Sequence, residues 1–231
     1  MPSTDTASLI RLLLADARLP TGSHAHSAGL EPMLLAGMPP AQLLDYVRDR
    51  LRTLTTTEAA AAVIARHTWW EGTSGGLDAV TLAWQARTPS PGQREAADRL
   101  GRGYARVARR VWPEQTNPDA IGPRGARTDL RYPRPVVLGV IAAITDLPAL
   151  DLALLIAYDD VQSITAAALK LLPLDPLEVT AWVLELQPEI AQVVERVTHL
   201  RDPADMPSGS LPLLDAYVAD HAHASRRLFH A

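Results

Sequence analysis

Two His-x-His pairs stand out as possible chemistry, His24/His26 within RLPTGSHAHSAGLE and His221/His223 near the end of the chain. Neutral imidazole suits zinc and nickel, so each pair offers two nitrogens to a metal. In extended backbone, however, i and i+2 side chains point to opposite sides, and on a helix they stand well apart. Neither pair closes a site without further ligands, and the plainer reading is of hydrogen-bonding histidines in a turn and on a last helix. There is no cysteine, which removes disulfides, thiolate metal sites and cysteine nucleophiles. No glutamate lies three residues before a histidine, so the Glu-x-x-His signature of helical di-iron enzymes is missing. A phosphate-binding loop ending in Gly-Lys-Ser/Thr is also missing, and the sole lysine, Lys170, lies in AAALKLLPL. The chain therefore should not hydrolyse nucleotides by itself.

Three further features could serve recognition. Arg99, Arg102, Arg106, Arg109 and Arg110 fall near one helical face at spacings of three and four, which suits an acidic partner but equally an ordinary solvated face. Lys170 must snorkel, pair or face a partner. Phe229, the only phenylalanine, sits beside Leu228 and two arginines three residues from the end. Terminal residues are poorly ordered unless tied down, and an aromatic next to arginine has the composition of an interface hot spot; tucking into its own core is the alternative.

The elements that must position these residues all read as helices. Among 231 residues, 47% are hydrophobic, enough for one large domain with a real core. Apolar residues recur at helical spacing and nothing alternates as a strand would. The pattern predicts a helix over 5–17 with Leu9, Ile10, Leu13 and Leu14 inward, and a break at Leu19-Pro20-Thr21-Gly22. Next comes a piece carrying Leu30, Met33 and Leu34 that starts near Glu31 or kinks at Pro32. Helices follow through Leu43 to Leu54, from Thr57 to about Glu71, over 78–87, and from a Ser90/Gln93 capping box to about Trp112. Residues 113–135, with five prolines, read as the longest irregular segment. Beyond it lie helices over 135–145, over 148–172 with a break at Asp159-Asp160, from the Asp175-Pro176 start to about Leu200, and over 213–224. The expectation is a single-domain all-α bundle of about ten helices over 1–224, with a tail at 225–231. No apolar stretch approaches the roughly 18 residues of a membrane span, and the N-terminus lacks the basic start of a secretory signal. A soluble, cytoplasmic protein is expected. The net charge of -4 gives no global attraction to nucleic acid.

Three stretches together resemble the urease accessory protein UreF family. These are LLLADARLPTGSHAHSAGLE with its Leu-Pro-x-Gly and Ser-x-Gly-Leu-Glu frame, AAALKLLPLDPLE, and the closing Arg-Leu-Phe. The frame residues are Pro20, Gly22, Ser27, Gly29 and Leu30, with Pro173 in the second motif. At His24 the family usually has an aromatic, and after Pro173-Leu174 it commonly continues Gly-Gln where this chain has Asp175-Pro176. The resemblance implies a non-catalytic, homodimeric scaffold with no tightly bound cofactor. It would link UreD (also called UreH) to the GTPase UreG, which carries the GTP, and deliver nickel as cargo to apo-urease. It places the partner-binding role on Glu31, Lys170, Arg227, Leu228 and Phe229, assigns no metal ligand in this chain, and implies a tail that becomes ordered against UreD. The rival reading is a helical metal- or ligand-binding enzyme built around His24 and His26.

Overall fold

Apolar faces at helical spacing leave water by packing helix on helix. The computed structural model describes residues 4–73, 75–116, 131–221 and 228–229, with backbone alone at 4, 5, 24 and 221. In chain order the helices are α1 (Thr4–Ala15), α2 (Leu30–Leu35), α3 (Leu43–Arg50), α4 (Thr56–Glu71), α5 (Gly76–Ala86), α6 (Pro91–Val111), α7 (Pro113–Thr116), α8 (Arg134–Ile144), α9 (Ala149–Leu171), α10 (Pro176–Glu185), α11 (Gln187–Val197) and α12 (Pro212–His221). No strand occurs among the described residues, and the all-α expectation holds.

The centre is α4 packed on α8 and α9, with α6 against the other side of α8 and α11 against α4 and α9. Small residues permit the closest of these approaches. Ala59 through Ala65 of α4 are buried, as are Val136 through Ala143 of α8. A Cβ at Gly139 would stand 2.4 Å from the Ala62 carbonyl oxygen, so the two backbones touch where a side chain would separate them.

Several expected boundaries moved, each for a physical reason. The predicted end of a helix near Leu54 is instead a π-helical turn, Leu51–Thr55, that joins α3 to α4 without a break. Threonine hydroxyls stabilise the wide turn by donating back into it, Thr56 Oγ1 to the Leu51 carbonyl at 2.6 Å and Thr53 Oγ1 to the Asp49 carbonyl at 2.6 Å. Asp159-Asp160 does not interrupt α9, because both carboxylates are paired with arginines of other helices. The predicted helix from 176 to 200 is two, α10 and α11, meeting at Leu186. Pro188 accounts for this, since it has no N–H and its ring excludes continuation from the preceding turn. On α1 Ala7 and Leu14 are buried, with Ile10 half-buried; Leu9 and Leu13, expected inward, are 66% and 40% exposed. α1 packs chiefly on α9, and one main neighbour covers a narrower stripe than two.

The local start signals operate as expected in part. Ser90 Oγ accepts from the Gln93 N–H at 3.4 Å, but the Gln93 side chain donates to Asp215 of α12 at 2.8 Å instead of closing the box. Asp175 Oδ1 accepts from the Leu177 N–H at 2.9 Å. By length and mean hydropathy (1.3), α9 is apolar enough to cross a membrane, contrary to expectation; 61% of that window is buried inside the bundle.

Candidate functional site

The 18–31 segment is a folded loop built on positive φ angles. Gly22 at φ 88° turns the chain into a 3-10 turn, Ser23–Ala25. Ala28 at φ 50° and Gly29 at φ 81° then turn it into α2. Gly29 is required twice over: it adopts the left-handed region, and a Cβ there would stand 2.5 Å from Leu214 and 2.9 Å from the Tyr46 hydroxyl. Tyr46 Oη donates to the Ala28 carbonyl at 2.7 Å, and burial pushes this phenol up to about 12. Ser27, fully buried, accepts the Glu31 N–H on Oγ at 3.3 Å, while Leu30 is fully buried in the core. Pro20 is exposed and its carbonyl accepts from Arg106 at 3.1 Å.

This loop delivers Glu31, 5% exposed, to the C-terminus of the chain. Glu31 Oε1 accepts from the Leu228 N–H at 2.7 Å and Oε2 from the Phe229 N–H at 2.8 Å. One carboxylate thus holds two successive backbone donors across 197 and 198 residues, and charge-assisted bonds of this kind are roughly twice as strong as neutral ones. The clamp sets the tail's register: Phe229 is 4% exposed and joins the core, while Leu228 is 62% exposed. Lys170 Nζ, near the end of α9, lies 5.2 Å from the centre of the Phe229 ring, within cation–π reach. Glu31, Lys170, Leu228 and Phe229, each singled out in the sequence, therefore meet at one place. Arg227 lies outside the described residues. Pro173 is exposed just past the end of α9.

Beside the tail runs a groove of about 400 Å³, bordered by Asp16, Tyr158, Gln162, Lys170 and Phe229. It shares Ser23, His26, Asp159 and Ser163 with a smaller inner cavity of about 80 Å³, whose floor is ionic. There Arg50 binds Asp160 through two nitrogens at 2.7 and 3.1 Å, and Thr55 Oγ1 donates to the same carboxylate at 2.6 Å. Arg134 bridges Glu58 at 2.5 Å and Asp159 at 2.6 Å. Two guanidiniums face three carboxylates, and the carboxylates respond differently. Burial disfavours ionised Asp160, but the charge of Arg50 with hydrogen bonds from Arg50 and Thr55 outweighs it and holds this group below the ordinary value. For Glu58 and Asp159 burial wins over Arg134, and both are pushed up.

The signs give a pH prediction. Asp160, lowered on folding, stabilises the fold above its unfolded pKa of about 3.9 and loses that contribution as pH falls through its folded value. Glu58 and Asp159, raised on folding, act oppositely: stability declines as pH rises through their folded values. Asp160→Asn should therefore cost about 2–4 kcal/mol at pH 7. Glu58→Gln should cost about 1 kcal/mol or less at pH 7, and its deficit should grow towards pH 5 as the wild type gains from protonation. Urea denaturation of both variants across that range checks this, and an Asp160→Asn loss no larger than that of Glu58→Gln contradicts it.

Sequence reasoning did not anticipate the ionic floor. By its neighbours alone Asp159-Asp160 reads as a helix interruption, whereas a carboxylate pair amid an apolar helical run is itself a signal that buried cations stand opposite. Among the described residues no group of three His, Cys, Asp or Glu side chains suited to a metal occurs. His26 is half-buried on the rim between groove and cavity. The side chains of His24, His221 and His223 lie outside the described residues.

A family model described as UreF matches residues 39–187. The urease accessory protein UreF of Mycobacterium tuberculosis (strain ATCC 25618 / H37Rv) is 36% identical over 228 residues, covering 97% of this chain and 99% of that protein. The protein of the same name from Mycobacterium marinum (strain ATCC BAA-535 / M) is 35% identical over 229 residues, with 97% and 99% covered. That of Mycobacterium sp. (strain JLS) is 37% identical over 223 residues, with 94% and 96% covered.

Proposed function

Because this chain belongs to the UreF family of urease accessory proteins, we propose that it is a non-catalytic scaffold that links UreD/UreH to the GTPase UreG. In this reading the assembly inserts nickel into apo-urease in the cytoplasm, the chain acts as a homodimer, nickel is cargo, and GTP is bound and hydrolysed on UreG. The observation that carries the reading is the family membership over nearly the whole chain. The clustering of Glu31, Lys170, Leu228 and Phe229 supports it from the chemical side.

In this role the Glu31 clamp fixes the tail before any partner arrives. Phe229 anchors it, and exposed Leu228 is the apolar contact offered to UreD. A tail held in register loses less entropy on binding than a free one. This changes the sequence expectation of a tail ordered only by its partner, since here Leu228 and Phe229 have an intramolecular seat.

The test is co-purification of the full chain and of Phe229→Ala with the UreD and UreG counterparts from the same source. Capture of both by the full chain, with UreD capture about tenfold weaker for Phe229→Ala, is expected. Capture of neither by the full chain overturns the scaffold. Equal UreD capture by both overturns the tail's role alone. Stoichiometric nickel or zinc binding lost on substituting His24 and His26 would favour the metal-enzyme reading instead.

A further inference from the structure

We infer that the outer face of α6 is a docking surface for a protein partner that presents a carboxylate-rich helix or loop, separate from the tail site and not dependent on the UreD and UreG reading. Arg99, Arg102, Arg106 and Arg109 follow one another at intervals of three, four and three, and all are exposed, as is Arg110 on the flank. At 1.5 Å rise per residue they form a line roughly 15 Å long. The opposite face of the same helix is fixed. Ala97, Tyr104, Ala105 and Ala108 are buried, and Gly101 and Gly103 lie directly against the backbones of Tyr132–Arg134 and Thr21. The line therefore belongs to a helix that does not shift, and its guanidiniums are presented in a fixed order.

Little within the described residues neutralises it. Glu95 approaches Arg99 only to 3.9 Å, and Arg106 uses one nitrogen on the Pro20 carbonyl. Arg109 and Arg110 face no carboxylate in ion-pair range among the described residues. α6 holds six arginines against two acids in a chain whose net charge is -4. Like charges three and four residues apart destabilise the helix that bears them, so the stripe is unfavourable in the free protein and is relieved by facing carboxylates. Beyond its end, Val111 is 48% exposed and Trp112 is half-buried, which places apolar and aromatic surface beside arginine in the manner of interface hot spots.

An acidic protein is favoured over nucleic acid. The excess of positive charge lies on α6, with six arginines against two acids, while the rest of the chain has 16 basic against 24 acidic residues and repels a long polyanion; the spacing matches carboxylates at helical intervals. Guanidinium also pairs with carboxylate bidentately, which gives the contact orientation as well as attraction.

The experiment uses the full chain and three probes: a fluorescent helical peptide with glutamates at i, i+3 and i+7, its lysine counterpart, and a duplex DNA of similar length. Fluorescence anisotropy at about 50 and about 300 mM salt reads the binding. The wild type should bind the acidic peptide, weaken about tenfold or more at the higher salt, and ignore the lysine peptide. Arg102→Glu/Arg109→Glu/Arg110→Glu should lose the acidic peptide. The corresponding triple change to lysine, which keeps the charge and protects against a folding artefact, should retain most of it. Equal binding of the acidic peptide by wild type and the charge-reversed variant, no binding by the wild type, or tighter binding of the DNA than of the peptide each overturns the proposal.

Discussion

Arg134→Met is expected to destabilise the protein by about 3–5 kcal/mol at pH 7, the largest effect of any single change considered. Arg134 caps no helix with its side chain; it neutralises Glu58 of α4 and Asp159 of α9 together, from the first residue of α8. Methionine keeps an unbranched apolar stem but leaves both carboxylates inside without their paired cation. Their pKa values already lie above the ordinary range because of burial, and without Arg134 they would rise further, so the fold would have to bind protons or open. The loss should shrink at pH 5, where protonation supplies the missing neutralisation. A triple variant, Arg134→Met with Glu58→Gln and Asp159→Asn, should recover much of the lost stability, because a neutral set carries no uncompensated charge. Urea unfolding followed by circular dichroism measures all of this. A loss under about 1 kcal/mol for the single variant would mean that the ionic floor does not hold the three helices together.

Gly139→Ala is the second. Helix propensity alone predicts a gain of about 0.5–1 kcal/mol, since glycine is a poor residue inside a helix. Packing predicts the reverse. The new methyl would meet the Ala62 carbonyl oxygen at 2.4 Å and the Ala65 Cβ at 2.7 Å, both on a rigid, buried helix. α4 and α8 would have to separate, and a loss of about 2–3 kcal/mol is expected. The sign decides between the two effects, and thermal melting of the variant reads it directly; a higher melting temperature would show that the α4–α8 contact yields.

Much of the architecture was legible along the chain. Helix periodicity, the Pro-Thr-Gly break and the Asp175-Pro176 start are local features, read within one or two turns of where they act. The division between α10 and α11 had a local signal as well, Pro188, but the expected single helix to about Leu200 runs straight through it. The continuity of α9 through Asp159-Asp160 was not legible, since it depends on arginines 25 and 110 residues away. The π-helical junction was likewise hidden: Thr55-Thr56-Thr57 falls at the expected gap between two helices, and only in the fold do Thr56 and Thr57 donate to carbonyls behind them and Thr55 to Asp160.

The site divides in the same way. From its residues alone the chain announced the turn around Gly22 and Gly29, the anomaly of a terminal Phe229 and a solitary Lys170, and a resemblance that tied them together. It also announced the arginine line on α6, because a 3.6-residue period is a property of neighbours. Tertiary structure decided which of these meet. A carboxylate at position 31 can reach the backbone N–H groups of 228 and 229 only after α2, α9 and the tail have been brought together, and only then does the register put Phe229 inside and Leu228 outside. Hydrogen bonds and ion pairs between distant residues depend on where the whole bundle places them, whereas helix starts, stops and faces depend on the next few side chains; the first kind of information has no local pattern to read.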